Sequence, residues 1–433
     1  MHFSVEYKYV RDCILVTKEK PRPANIYKTL SSLQWCLKLS AASHYYQNST
    51  GEFKRSFLLL LYATVYLSGF LFFGQDVFYL KNYYARRNSF RFAYYLEKGP
   101  FFTKPISIIC SQIFTGKKIE SLQLLDQADE VFLTTDQTAK VLKANRKIKS
   151  LCEKLIITTV VSLLGLGIVS YLIEKERHIC YFIARYIFTV MLETVQSVEF
   201  AVMCYCIRSR FKIINQIVKD KIEESERVEK YPINRHLFIR SLKLLLDQHE
   251  RLRHVAEVTN AAFSVQLLCV SLNALSIFIS NGIKVIIIIF EGSSEEVIVA
   301  LNWICAIIFV VEFLAIICHH VNELCSEANY TIRLLHGIQL RIDDTESIKM
   351  MILSTMHLDN NKLKLMACKL FKVDFSLLLY ICGGAMSYLV ITYQFVQFKE
   401  LQKERLHALS RANDNITVTP SESLFNYYST AQI

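Results

Sequence analysis

Arg185 and Glu193 stand eight residues apart in 180–206, a stretch otherwise apolar but for Glu199. Eight residues make a little over two helical turns, so the two charges share a face. A charge inside a membrane span costs about 2.5–3.5 kcal/mol on insertion scales, and so it faces a cavity or a partner. Asn302-Trp303, near the start of the apolar stretch 297–321, sets an amide beside an aromatic face. That combination holds a polyol or a small heteroaromatic ring. Asn273 with Ser276 in 258–283, and Tyr171 in 155–173, add polar groups at comparable depth. The chemistry these residues offer is recognition of a small molecule, not turnover. Each also has a plainer role: Trp303 and Tyr171 suit an interfacial aromatic belt, and Asn273 suits a bond between helices.

Catalytic and metal-binding arrangements do not emerge. His319 and His320 are adjacent, about 100° apart on a helix, and do not readily ligate one ion. Cys204 and Cys206 likewise point to different faces. The sequence holds no HExxH, no GxSxG and no phosphate-cradling glycine loop. Neither a cofactor nor a metal is expected, and the odd total of 13 cysteines, mostly in apolar stretches or basic loops, argues against a disulfide framework.

The elements that position these residues are membrane spans. Apolar residues make up 52% of the 433, charged residues only 21%, and Phe and Tyr are abundant. Stretches 56–75, 155–173, 258–283 and 375–398 are uncharged and long enough to cross a bilayer. Stretches 180–206 and 297–321 carry a few charges, and 90–116 carries several with two prolines. The expected fold is an all-α membrane protein of seven transmembrane helices. Of the 50 lysines and arginines, 36 fall in 1–55, 115–154, 208–260 and 321–375, the N-terminus and the alternate loops. The positive-inside rule then puts the N-terminus in the cytoplasm and the C-terminus outside. The formal charge of +11 is thus topology information, and no nucleic-acid-binding motif accompanies it. The start of the chain has no signal-peptide pattern. The organisation expected is a cytoplasmic N-terminal segment, 1–55, a seven-helix unit, 56–398, and an extracellular tail, 399–433.

The cytoplasmic segments read as helical extensions of the spans. In 236–260, Leu242, Leu245, Leu246, Leu252, Val255 and Ala256 recur at helical spacing and run directly into the fifth span. Segment 321–375 prolongs the sixth span through Leu334, Leu335 and Ile338, and approaches the seventh through Leu363, Leu365 and Met366. Such stripes need a partner, and a cytoplasmic helical collar supplies one.

The last span reads FSLLLYICGGAMSYLVITYQFVQF from Phe375 to Phe398. Within it, Ser387-Tyr388, five mostly apolar residues and Gln394-Phe395 resemble the C-terminal signature of the insect gustatory receptor family, with serine in place of that family's threonine. The approach Leu370-Phe371-Lys372-Val373-Asp374 is similar as well. The resemblance implies a chemosensory, ligand-gated, non-selective cation channel that opens on a small tastant. It further implies homo- or hetero-tetramers in the plasma membrane of sensory neurons. The seventh span would line a central pore for permeant cations, with ligand pockets toward the outer leaflet.

The residues fit that role. Ile391 and Gln394, three apart, share a face. A ring of isoleucines gates by dewetting, and a ring of amides replaces part of an ion's hydration shell. Tyr388 and Phe395 point elsewhere, toward packing, and Gly383-Gly384 permits close approach or bending. The plainer role for Gln394 is a hydrogen bond between helices. The ligand candidates are Trp303, Asn302, Asn273, Arg185, Glu193 and Tyr171. A secondary transporter is the alternative, but no internal repeat supports it. A G-protein-linked seven-span receptor is opposed by the orientation.

Overall fold

Leu242, Leu252, Val255 and Ala256 are all buried, and Leu246 is half-buried, so the stripe in 236–260 does face a core. Lys243 and Arg251, between them, are exposed. The structure is a computed structural model, and it describes residues 26–43, 45–48, 53–79, 99–134, 137–173, 179–228, 235–291, 297–339 and 345–417.

The chain is mostly helical. Two short helices, α1 (Ile26–Thr29) and α2 (Ser31–Leu39), lead to a hairpin of β1 (Tyr45–Gln47) and β2 (Phe53–Arg55). Then come α3 (Phe57–Tyr79), α4 (Gly99–Ile113), α5 (Thr115–Thr134), α6 (Thr138–Ile173) and α7 (Ile179–Val228). Next are α8 (Arg235–Glu291), α9 (Val297–Gln339), α10 (Thr345–Asn360), β3 (Met366–Ala367), β4 (Phe371–Lys372) and α11 (Phe375–Thr417). Among the described residues, three segments are long and apolar enough to cross a membrane: Leu242–Ile289, Ala300–Gly337 and Phe375–Phe395. Phe57–Ser68 is a shorter apolar helix. Part of the expected second span, 90–98, lies outside the described residues.

The axis of the fold is α8, which packs on α4, α5, α7, α9 and α11. Its 57 residues run roughly 85 Å at 1.5 Å each, far more than the ~30 Å of hydrocarbon in a bilayer. The surplus belongs to the helical extension read from the sequence. Two departures from an all-α reading appear. One is the N-terminal hairpin, an antiparallel pair with Tyr45 opposite Arg55 and Gln47 opposite Phe53. Its Tyr45 and Phe53 rings cluster with Tyr27 of α1 at centroid distances of 5.5–6.3 Å.

The other departure is at 361–374, where a helical approach to the last span is replaced by a turn and the β3–β4 hairpin. Side chains of α8 and α9 account for it. Asn329 Oδ1 accepts the Leu363 N–H at 3.1 Å, Asn260 Oδ1 that of Met366 at 3.1 Å, and Ser264 Oγ that of Cys368 at 2.6 Å. These acceptors take the backbone donors that a helix would have used. Cys368 and Lys369 turn the chain with positive φ, 49° and 59°.

The N-terminal segment is tied to the bundle through its backbone. Ser111 Oγ donates to the Ala42 carbonyl at 2.7 Å, and Gln112 Nε2 to that of Ala41 at 3.2 Å. Asp126 on α5 accepts the Ile26 N–H at 3.0 Å, at the start of α1. Burial pushes the Asp126 carboxyl up from the usual 3.8 to about 6, against the opposing pull of that N–H. The folded state therefore holds this proton at a pH where the unfolded chain has lost it. Stability from the group is full below about pH 4 and is lost as pH rises through 6. Acidification of the detergent-solubilised protein from pH 7.5 to 5.5 is expected to raise its melting temperature, and the rise should shrink in Asp126→Asn. Equal pH responses in the two proteins would refute the assignment.

Candidate functional site

The last span, α11, has one sealed side and one open side. Leu377, Ile381, Ala385 and Leu389, spaced four apart, are buried. Ala385 and Leu389 pack with Ile279, Ile283 and Ile287 of α8, and Tyr388 lies against the same cluster. The contact is closest at Gly282, where an added Cβ would lie 2.6 Å from one Leu389 methyl and 2.8 Å from the other. A larger residue at 282 would have to displace the buried Leu389 side chain. The pair Gly383-Gly384 meets open space instead, so within the chain the close approach belongs to Gly282.

The opposite side of α11 carries Ser387, Ile391, Gln394 and Phe395, all exposed. Ile391 is 51% accessible and Phe395 65%. Tyr388 thus packs within the chain, and Phe395 does not. The Gln394 side chain makes no hydrogen bond to another helix among the described residues. Three turns of a membrane helix with large apolar groups bare on one face require lipid, a neighbouring chain or a pore to complete them.

Of the six ligand candidates, Asn273, Asn302 and Trp303 have described side chains. Trp303 and Asn302 on α9 are half-buried. The ammonium of Lys284 on α8 sits over the Trp303 ring, 5.1 Å from its centroid. A cation over an indole face is attracted by the ring quadrupole, and more strongly where water is excluded. Lys284, the single charge in the run from Val258 to Phe290, is not among the ligand candidates that the sequence offers. Asn273 is buried on α8, but eleven residues before Lys284, roughly 16 Å back along the helix. The structure therefore does not bring Asn273 to Trp303. The side chains of Tyr171, Arg185 and Glu193 lie outside the described residues.

Glu199, well inside α7, does not reach for solvent. It is buried, and its Oε2 accepts from the Lys118 ammonium at 2.7 Å. That ammonium also donates to Ser111 Oγ at 3.2 Å and lies 4.4 Å from the centre of the Phe263 ring. Lys118, Glu199 and Phe263, with Gln34 and Tyr45, line a cavity of about 10 Å³. Such a space admits about one water, whereas ligand pockets run to about 300–1,000 Å³. The cluster is a structural joint between α2, α5, α7 and α8. Among the described residues, no group of three or more His, Cys, Asp or Glu side chains converges to hold a metal ion.

Long apolar helices, with one of them bare along a full face, define a helical, multi-pass membrane protein. A family profile described as 7tm Chemosensory receptor matches residues 29–399. The chain belongs to this chemosensory receptor family, the insect odorant and gustatory receptors. In fold it is similar to the insect olfactory receptor OR5 from Machilis hrabei, with a TM-score of 0.62 at 10% identity, over 84% of this chain and 97% of that one. The structure of that receptor in complex with eugenol gives a TM-score of 0.56 at 12% identity, over 86% and 98%. At such identities the likeness is one of fold alone. No curated protein sequence matches the chain significantly. The protein is a receptor of ligand-gated channel type and not an enzyme.

Proposed function

We propose that this protein is a gustatory receptor: a non-selective cation channel that opens when a small tastant binds. In this reading it is a homo- or hetero-tetramer in the plasma membrane of sensory neurons. It has seven spans, with the N-terminus in the cytoplasm and the C-terminus outside, as the basic loops favour, and α11 of each subunit lines the pore. The observation that carries the reading is the open face of α11. Ile391 and Gln394 lie on it, inside the stretch Ser387 to Phe395 that resembles the gustatory signature. Eugenol, bound by the Machilis receptor, makes a small organic molecule the natural ligand class.

Ligand binding opens the pore only by as much as affinity differs between its closed and open states. A closed pore is dry at the isoleucine ring, and an open one is wide enough to wet it. Whole-cell recording with a tastant panel tests the reading. Ile391→Ser is expected to give a standing cation leak without ligand, comparable to the ligand-evoked current. Gln394→Ala should shift the reversal potential under bi-ionic conditions. If both variants conduct like the wild type, α11 does not line the pore in this register. In the same cells Trp303→Ala should raise the half-maximal ligand concentration about tenfold, equivalent to ~1.4 kcal/mol of lost contact. An unchanged concentration would remove Trp303 from the binding site.

A further inference from the structure

The helix α11 does not stop at the edge of the bilayer. Its 43 residues span roughly 64 Å, about twice the hydrocarbon thickness, so its last five turns continue beyond the membrane. No proline falls within Phe375–Thr417, and both glycines lie well before the overhang. The face bearing Ile391 and Gln394 persists along this overhang. Residues at alternating spacings of three and four read Ile391, Gln394, Phe398, Leu401, Arg405 and Ala408. That is an a/d heptad register. All six are exposed in the single chain, with Phe398 at 59% and Leu401 at 57%. The far side of the overhang carries Leu406, His407 and Ser410, while Arg411 falls at a flanking position.

We propose that residues 394–408 form a parallel clasp with the same segment of other copies of this chain, beyond the membrane and on the axis of the pore. The clasp rests on the proposed pore reading, because Ile391 and Gln394 supply its first a and d positions. Charge favours a second copy as the occupant. Arg405 is the one ion in the stripe, and Glu404 precedes it at the flanking g position. In a parallel bundle the g position of one helix adjoins the a position of the next, so each Arg405 meets a neighbour's Glu404. A single polar residue at an a position also fixes register and chain number. Lipid cannot cover this face, since the helix leaves the membrane as an unbroken continuation of the span. Alone, an overhang of this length is only marginally helical in water.

Cysteine cross-linking of the full-length receptor in isolated membranes tests the clasp. Under a mild oxidant, Leu401→Cys and Gln394→Cys are expected to give disulfide-linked dimers above the wild-type background, and His407→Cys, on the far side, is not. Ala408→Cys, the next d position, replaces Leu401→Cys if that variant fails to reach the membrane. Arg405→Glu should lower the cross-linked fraction at 401 several-fold, and adding Glu404→Arg should restore it. Cross-linking at 394 without any at 401 or 408 would overturn the clasp and leave the pore reading standing. Absence at all three positions would overturn both. Equal cross-linking at 401 and 407 would also overturn the clasp, as would indifference to the charge swap.

Discussion

Asp129→Ala is expected to abolish most of the surface-expressed, monodisperse protein, because it strips a buried guanidinium of the carboxylate that pairs with it. Arg210 of α7 is fully enclosed. Its Nε donates to Asp129 Oδ1 at 2.9 Å, and one terminal nitrogen donates to Asp129 Oδ2 at 2.6 Å and to Asn145 Oδ1 at 2.7 Å. The other terminal nitrogen donates to the Cys206 carbonyl at 3.3 Å and to Ser209 Oγ at 2.9 Å. All five guanidinium donors are used, and one side chain thereby ties α5, α6 and α7 together. Removing one partner of a buried pair costs about 3–5 kcal/mol, against about 5–15 kcal/mol for the stability of a whole domain.

The double replacement Asp129→Leu with Arg210→Met removes both charges, and similar apolar swaps of buried pairs are often neutral or stabilising. It should recover most of the protein that the single variant loses. Size-exclusion chromatography of fluorescently tagged receptor after heating reads both. A single variant that melts like the wild type would show that the pair does not hold the bundle together.

Gly282→Val is expected to silence the ligand-evoked current while leaving the receptor at the surface. A Cβ at 282 would collide with both methyls of Leu389 and lie 3.3 Å from its Cγ, so a rotation of the leucine tip does not clear it. Leu389 is buried among Ile279, Ile283, Ile287 and Ala385, and overpacking of this kind costs about 1–3 kcal/mol. The strain falls on α11 two residues from Ile391, on the helix proposed to move in gating. Gly282→Ala is a weaker test, because alanine favours a helix over glycine by about 0.8–1.0 kcal/mol and offsets part of the clash. Leu389→Ala opens the space and should restore current in the Gly282→Val background. Current amplitude normalised to surface labelling is the measurement, and a Gly282→Val channel of normal amplitude would disconnect this contact from gating.

The sequence by itself determined much that depends on neighbours along the chain. Helical periodicity is local, so the stripe from Leu242 to Ala256 showed which side of α8 would be buried. Uncharged stretches located the helices that became α3, α6, α8 and α11, and the spacing of Ser387, Tyr388, Gln394 and Phe395 pointed to the family. That spacing set Tyr388 apart from Ile391 and Gln394, but it sent Phe395 toward packing, and Phe395 is bare in the chain. Tertiary structure alone decided the pairings across helices. Asp129 and Arg210 are 81 residues apart, as are Lys118 and Glu199, and no periodicity links such positions. Glycine at 282 looked like any helical glycine until Leu389 was placed against it. Lys284 gained its aromatic partner only when Trp303 came beneath its ammonium. The hairpin after α10 arose because Asn260, Ser264 and Asn329, distant in sequence, captured backbone donors that local propensity would have given to a helix. Each of these rests on two remote groups reaching one place, and that depends on how the helices pack.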